Sequence, residues 1–408
     1  MVPLPVIPTQ VRHQKVTISL LFVAYLGGFG VFIPFFPVWL DYLGFNATWI
    51  AVLVATPLFI RVLTTGAVAD WAERFADPRA PLRWLSLASL LLFLIMPVAA
   101  MSDGGRAMIA SPWLLLPVVA LMAVGWNALL PLTDATAIQV VRATRADYGR
   151  LRVWGSIAFV ATSFIAGIVL ERTGLQSIPW MVAALFLLFY LVALSLPRAL
   201  ATHATPSGVP KKPVSGWLFL LKRRGALSVF LGAGLMQASH AVLYGFGSIS
   251  WSSQGFSDTT IGSLWALGVL CEIALFWVSR PVINRLGARG LLIIGGIAAS
   301  FRWACFAFSP SLSVTVTLQV LHAFSFGMTH LAMIEYVAQR AKSQQLRAAQ
   351  GVYGVVSGAI MALATLASGP LYQQFGAGAY LAMGIMTMLG TAIVLVNRLS
   401  IPAAGDRR

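Results

Sequence analysis

Long apolar runs separated by short polar segments follow one another along the whole chain. Each run is close to the roughly 20 residues that an α-helix needs to cross a bilayer. In the first half, the runs cover about 17–39, 48–69, 82–101, 112–138, 149–170 and 178–197. In the second half, they cover about 226–250, 259–279, 290–308, 312–337, 348–372 and 377–397. This pattern predicts an all-α membrane protein with twelve transmembrane helices, which we number spans 1 to 12 in chain order.

The longest polar stretch divides the predicted spans into two sets of six. It contains THATPSGVPKKP, whose proline, small residues and lysines are typical of a linker. We therefore predict a cytoplasmic N-terminus (1–16), an N-terminal six-helix bundle (17–197), a cytoplasmic linker (198–225), a C-terminal six-helix bundle (226–397) and a cytoplasmic C-terminus (398–408).

Composition and charge agree with a membrane protein and argue against a nucleic-acid partner. Hydrophobic residues make up 59% of the chain and charged residues only 10%, whereas a soluble domain carries about a quarter charged residues. The net charge is +16, but 24 of the 28 Lys and Arg lie at the termini, in the loops after spans 2, 4, 6, 8 and 10, or at the ends of those spans. This asymmetry follows the positive-inside rule and predicts that both termini are cytoplasmic. The excess of Lys and Arg is therefore expected to set the orientation of the chain in the membrane and to contact anionic lipid headgroups.

Two cytoplasmic loops in equivalent places share a pattern of a small residue, a polar or acidic residue four positions on, and basic residues. GAVADWAERFADPR supplies Gly66, Asp70 and Arg74, and RPVINRLGARG supplies Asn284 and Arg285. The pattern resembles the loop signature of the major facilitator superfamily, which implies two pseudo-symmetric bundles and a conformational gate at these residues. We expect Asp70 just past the end of span 2, where the helix dipole disfavours an anion unless a donor is near. The alternative is an ordinary solvated loop charge.

A carboxylate and a guanidinium are predicted at similar depth in the membrane on adjacent spans. Asp134 on span 4 and Arg152 on span 5 each lie nine positions from the turn near residue 143. Asn127 shares the face of Asp134, and Phe159 shares the face of Arg152. Because ionisable groups in a membrane are costly, the pair predicts a substrate site. The alternative is a structural ion pair near the cytoplasmic edge.

A second set of ionisable residues lies in the C-terminal half. Glu272, Arg302 and His322 fall in the middle of spans 8, 9 and 10, and span 7 adds His240 and Tyr244 at helical spacing. A carboxylate, a guanidinium and an imidazole in apolar surroundings couple strongly, which is the chemistry of a proton-coupled carrier. The alternative is a buried polar network that only holds helices together.

At these residues the chain resembles a narrower group, the phenylpropionate permease family, which is related to lactose permease and nucleoside–proton symporters. The resemblance rests on PLTDA and DYGRLRVWGSIAF around spans 4 and 5, and on QASHAVLYGF and SLWALGVLCEIALF in spans 7 and 8. It implies that Asp134, Arg152 and Phe159 bind the substrate. It also implies that Glu272, Arg302 and His322 couple transport to a proton. Ser325 and Gln319 depart from the lactose permease pattern, which has a glutamate and a lysine there. This favours Glu272 as the proton site and leaves Asp134 as the second candidate.

We therefore predict a secondary active transporter of the bacterial inner membrane that takes up a small organic solute by proton symport and alternating access. The resemblance favours an aromatic carboxylate such as 3-phenylpropionate, with His240, Tyr244 and Tyr25 also lining the substrate site. A sugar or nucleoside symporter remains an alternative, and a membrane sensor without transport is a remote one. No enzyme motif is found. A proton gradient drives the predicted carrier without cofactor or metal, and the protein is expected to be a monomer.

Overall fold

The computed structural model describes residues 8–77, 79–197, 225–341 and 345–397. Most of the predicted linker, the predicted C-terminal tail and the first seven residues lie outside this part of the chain. Spans 1 to 6 are the helices Pro8–Tyr42, Ala47–Ala72, Arg79–Ala99, Pro112–Thr144, Tyr148–Thr173 and Ile178–Leu194. Spans 7 to 12 are Ala226–Ala238 with Ala241–Ser253, Asp258–Trp277, Ser279–Phe306, Leu312–Val320 with Thr329–Arg340, Leu346–Phe375 and Ala379–Val396. A short helix, Asp103–Ile109, precedes span 4.

Eleven segments within the described residues are long and apolar enough to cross a membrane. The last of them, Ala348–Val396, contains both span 11 and span 12. The prediction of an all-α membrane protein is therefore confirmed, and the hydrophobic runs correspond one to one with the helical spans.

The chain forms two compact units. The first contains Met1–Gly44 and Leu63–Gly208, and the second contains Phe45–Val62 and Val209–Arg408. Span 2 is therefore shared, because its first half packs within the second unit. The contact is close: a Cβ added to Gly369 on span 11 would lie 2.6 Å from Cβ of Ala51 and 2.7 Å from the carbonyl oxygen of Ala47.

In the first unit, spans 1 and 5 approach closely through small residues. A Cβ added to Gly30 would lie 2.5 Å from the carbonyl oxygen of Phe159 and 3.0 Å from its Cα. The hydroxyls of Thr162 and Ser163 donate to the carbonyls of Gly27 and Gly30, both at 2.8 Å. Small residues and interhelical hydrogen bonds are the usual means of helix association where water is absent. They fix span 5, which carries Arg152, against span 1.

Span 5 begins at a well-defined cap. Asp147 has extended backbone angles and its carboxylate accepts a hydrogen bond from the backbone N–H of Arg150 at 3.1 Å. Such an N-cap satisfies one of the free donors at the start of a helix. Tyr148 is consequently the first helical residue, and Arg152 follows it by about one turn on the same face.

In the second unit, two spans depart from regular α-helix near the middle of their length. Span 7 is interrupted at Ser239 and His240. Span 10 contains a π-helical turn over Ala323–Met328, directly after His322. π-turns of this kind are frequent at functional sites. Both departures fall at histidines that we predict to be functional.

Two expectations about the loops after spans 2 and 8 are wrong. Span 2 continues to Ala72, so Asp70 lies in its last turn and not beyond its end. Its alanine-rich end favours helix, which accounts for the extension. The segment before span 9 is also helical, from Ser279, and is broken only at Gly287. Gly287 has φ 63°, a backbone conformation that glycine adopts without steric cost.

Candidate functional site

Asp134 and Arg152 meet in the first unit, as their equal distances from the intervening turn predict. Nη1 of Arg152 lies 3.4 Å from both carboxylate oxygens of Asp134. Tyr148 was not predicted and stands between them. Its hydroxyl donates to Oδ1 of Asp134 at 2.6 Å and accepts from Nη1 of Arg152 at 2.8 Å. The site is therefore a triad in which the phenol makes the shorter contacts.

One edge of the Arg152 guanidinium is available to a ligand. All hydrogen bonds that Arg152 makes with described side chains use Nη1. Its Nε and Nη2 groups make none within the described part of the chain. The Arg152 side chain is 42% exposed and that of Asp134 is 27% exposed. Two parallel donors on an accessible guanidinium edge match the geometry of a carboxylate.

The other predicted substrate residues of the first unit, Asn127, Phe159 and Tyr25, differ in their degree of burial. Phe159 and Asn127 are half-buried. Tyr25 is buried and its ring centroid lies 5.1 Å from that of Phe29 and 6.5 Å from that of Trp126. The cavity beside Tyr25 measures only about 10 Å³, so the aromatic rings there form a packed cluster. The predicted role of Tyr25 in contacting substrate stays a prediction.

In the second unit, Arg302 is completely buried and organises the polar residues around it. Its Nε donates to the carbonyl of Leu318 at 2.8 Å, and its Nη2 donates to Oε1 of Gln319. Its Nη1 lies 3.2 Å from Nδ1 of His322 and 3.3 Å from the hydroxyl of Ser325. Gln319 and Ser325, the two departures from the lactose permease pattern, are thus ligands of the guanidinium. A buried charge needs such partners to offset its lost hydration.

The contact with Arg302 fixes the tautomer of His322. A guanidinium has only donors, so Nδ1 of His322 must accept and the ring proton lies on Nε2. Nε2 faces Oε2 of Glu272 at 3.9 Å, beyond hydrogen-bonding distance. A second proton on His322 would have to displace Arg302. Glu272, whose side chain is 16% exposed, can take a proton without breaking the contact between Arg302 and His322.

His240 and Tyr244 line the same network from span 7. Nδ1 of His240 contacts the carbonyl of Gln237 at 3.0 Å, so this nitrogen carries the proton. Nε2 of His240 lies 3.3 Å from the hydroxyl of Ser325, which links it to Arg302. The Tyr244 ring stacks on His240 at 5.8 Å between centroids. The structure therefore brings together all five residues predicted from spans 7 to 10.

The predicted gate residues lie in the last turns of span 2 or just after it, and near the start of span 9. All five of these residues, Gly66, Asp70, Arg74, Asn284 and Arg285, are exposed. Asp70 makes no ion pair or hydrogen bond with a described residue, so the donor expected for it is not found in this part of the chain. The proposed gating role is otherwise untested.

Charged contacts in the loop after span 2 involve Asp77 instead. Arg79 forms an ion pair with Asp77 at 2.6 Å and donates to the carbonyl of Leu196 at the end of span 6. The hydrogen bond from Arg79 holds the pKa of Asp77 below its ordinary value of 3.8. Arg83 donates to the carbonyls of Ala193 and Leu194. These arginines satisfy carbonyls that the end of a helix leaves without partners.

Within the described residues, helices long and apolar enough to cross a membrane carry ionisable side chains, and this defines a polytopic membrane protein. The chain belongs to the MFS_1 like family of the major facilitator superfamily, whose sequence model matches residues 15–382.

Relatives and solved structures agree with this family. The chain is 31% identical to the "Probable 3-phenylpropionic acid transporter" of Escherichia coli K12, over 91% of this chain and 94% of that protein. It is 25% identical to the "Maltose permease" of Geobacillus stearothermophilus, over 85% and 86% of the two chains. The solved nucleoside transporter NupG superposes with a TM-score of 0.78 at 14% identity, over 95% of this chain and 98% of that one. The expected resemblance and the major facilitator fold are confirmed.

Proposed function

We propose that this protein takes up an aromatic carboxylate, such as 3-phenylpropionate, by proton symport and alternating access. The observation that carries the proposal is the accessible edge of Arg152, whose Nε and Nη2 have no partner among the described residues. The name of the 31% identical relative points to the same class of ligand. The chain would act in a bacterial inner membrane, as a monomer with both termini in the cytoplasm.

The substrate carboxylate would bind Arg152 through two parallel hydrogen bonds. Arg–carboxylate pairs of this kind are stronger than neutral hydrogen bonds and also set the direction of approach. Phe159 lies about two helical turns from Arg152 on the same span. A phenyl ring attached to the carboxylate by a short chain would extend in that direction.

Glu272 is the proposed site of the coupling proton. It faces the protonated nitrogen of His322 at 3.9 Å, and His322 is held neutral by the donor groups of Arg302. Protonating Glu272 would remove the only negative charge among these three residues. Because the contact between Arg302 and His322 does not depend on this charge, Glu272 would need different neighbours in the other conformation of the carrier. A proton that binds Glu272 more tightly in one conformation than in the other shifts the equilibrium between them. No resident cofactor is required, because the proton gradient supplies the energy.

A sugar or nucleoside symporter is the alternative. The curated relatives include the maltose permease and a "Lactose permease" from Klebsiella oxytoca, 23% identical over 94% of each chain. An aspartate next to an arginine also suits ligand hydroxyls, since the pair offers both an acceptor and donors.

Counterflow in proteoliposomes tests the proposal. Vesicles are loaded with unlabelled 3-phenylpropionate, and a trace of labelled compound is added outside. A carrier should concentrate label transiently inside, and Arg152→Gln should abolish the overshoot. Arg150→Gln is the matched control, because its side chain is an exposed neighbouring cation. Protein-free vesicles measure passive entry of the neutral acid.

An overshoot with lactose or uridine, and none with 3-phenylpropionate, would favour the alternative. The absence of an overshoot with any ligand, from folded protein, would contradict the transporter proposal and favour a sensor.

A further inference from the structure

Tyr148 holds a hydroxyl group at the centre of the proposed carboxylate site. Its Oη donates to Asp134 at 2.6 Å and accepts from Arg152 at 2.8 Å, while the two charged groups are 3.4 Å apart. The hydroxyl of an alcohol ligand would bind this pair of charges in the same way, by donating one hydrogen bond to Asp134 and accepting one from Arg152. The phenol therefore occupies the position in which a ligand hydroxyl would bind both charges.

We propose that Tyr148 is a specificity-determining residue that excludes neutral, hydroxyl-bearing ligands and selects carboxylates. This inference rests on the proposed function and names the basis of its selectivity. An alcohol can gain both hydrogen bonds only by displacing a phenol that is already held in place by its own chain. A carboxylate has no proton to donate to Asp134, and it uses the other edge of Arg152. The phenol does not compete with it.

The position of the phenol is set by the fold. Tyr148 lies one turn before Arg152, and its ring meets Phe22 of span 1 edge to face at 6.3 Å. Gly155, two turns further along span 5, lies against Leu26, because an added Cβ would fall 2.5 Å from Cδ1 of that side chain. Spans 1 and 5 therefore leave Tyr148 little freedom to swing away from the pair.

The phenol also keeps the edge of Arg152 open. Without it, the guanidinium and Asp134 would be free to close from 3.4 Å to a direct two-point ion pair. That pair would use donor groups which the structure leaves available. Removing the hydroxyl should thus weaken carboxylate binding, because the direct ion pair uses the donors that a carboxylate needs. An alcohol that inserts between the two charges would restore the two hydrogen bonds that the phenol made.

Tyr148→Phe tests the inference, because it removes one oxygen and keeps the ring. Equilibrium binding of 3-phenylpropionate and of 3-phenylpropan-1-ol to the purified full-length protein is measured by titration calorimetry. The alcohol has the same ring and chain length without the charge. Tyr190→Phe is the matched control, since no hydrogen bond of the Tyr190 hydroxyl is found with a described residue. The readout is the ratio of the two affinities, which a general loss of folded protein leaves unchanged.

We expect the parent and Tyr190→Phe to prefer the carboxylate. In Tyr148→Phe the preference should fall by about tenfold or more, the usual effect of losing a hydrogen bond to a charged group. A preference for the carboxylate that is the same in Tyr148→Phe as in the parent would overturn the inference and leave the proposed function standing. A parent that binds the alcohol as tightly as the carboxylate would overturn the inference alone, and a folded parent that binds neither compound would overturn the proposed function as well. Should Tyr148→Phe be poorly folded, Tyr148→Leu replaces it, with the same expected fall in the ratio.

Discussion

Replacing Asp134 with asparagine should tighten the binding of an aromatic carboxylate. Asparagine keeps the size of the side chain and an oxygen that can accept from Tyr148, but it removes one negative charge. A carboxylate on the open edge of Arg152 would lie on the order of 6 Å from Asp134, where two like charges repel by about 3 kcal/mol at an effective dielectric constant of about 20. That repulsion corresponds to an affinity change of about 100-fold.

Solvent reduces this figure, because the Asp134 side chain is 27% exposed and that of Arg152 is 42% exposed. We therefore expect Asp134→Asn to bind 3-phenylpropionate about 10- to 100-fold more tightly than the parent near neutral pH. Titration calorimetry on purified protein measures the change, with Asp103→Asn as a control for the loss of one remote negative charge. Weaker binding of 3-phenylpropionate by Asp134→Asn would refute the reasoning and would instead fit a hydroxyl ligand that needs Asp134 as an acceptor.

Three further predictions concern packing, proton coupling and pH. Gly30→Ala should lower the apparent Tm by several degrees, since overpacking costs about 1–3 kcal/mol. Gly28→Ala is the control and should leave the Tm unchanged, because a Cβ added to Gly28 would lie 4.0 Å from its nearest neighbour. Equal Tm values for the two variants would contradict the close packing at Gly30. Glu272→Gln should retain counterflow of 3-phenylpropionate but lose accumulation driven by a proton gradient, and gradient-driven accumulation in this variant would exclude Glu272. Asp77 has a lowered pKa, so its ion pair stabilises the fold above about pH 4 and the contribution is lost as pH falls further. Asp77→Asn should therefore destabilise the fold at pH 7 by about 1 kcal/mol, seen as a small fall in the apparent Tm. A difference in Tm that did not shrink as the pH was lowered below about 4 would contradict this assignment.

The membrane fold and the pairing of Asp134 with Arg152 could be predicted from the sequence. Hydrophobic runs of bilayer length have few alternatives to helix, because every backbone group must be satisfied within the segment. The pairing followed from helix geometry alone, since two residues at equal distance from a tight turn lie at similar depth. Neither prediction required knowledge of how distant parts of the chain pack.

Tyr148 could not be predicted from the sequence. A tyrosine at the first turn of a span is typical of the membrane interface, where aromatic residues are common for reasons unrelated to ligand binding. Its role in the triad depends on the direction of the ring, which the contact with Phe22 sets. Only the three-dimensional arrangement shows that its hydroxyl lies between two charges.

The interruption of span 7 at His240 and the π-turn after His322 also could not be predicted from the sequence. Neither segment has a proline to mark a break, and glycine occurs only within the π-turn. The local structure depends on hydrogen bonds between spans, such as those of Ser325 with His240 and Arg302. Sequence periodicity does not report contacts of that kind.

Proton movement coupled to the ligand tests the central claim most directly. External pH is recorded in a lightly buffered suspension of de-energised vesicles containing the protein, while 3-phenylpropionate, lactose and uridine are added in turn. Protein-free vesicles provide the correction for passive entry of the acid. The account predicts alkalinisation of the medium with 3-phenylpropionate alone, and its loss in Glu272→Gln. Equilibration of labelled 3-phenylpropionate through the protein without any pH change beyond the passive control would contradict proton symport.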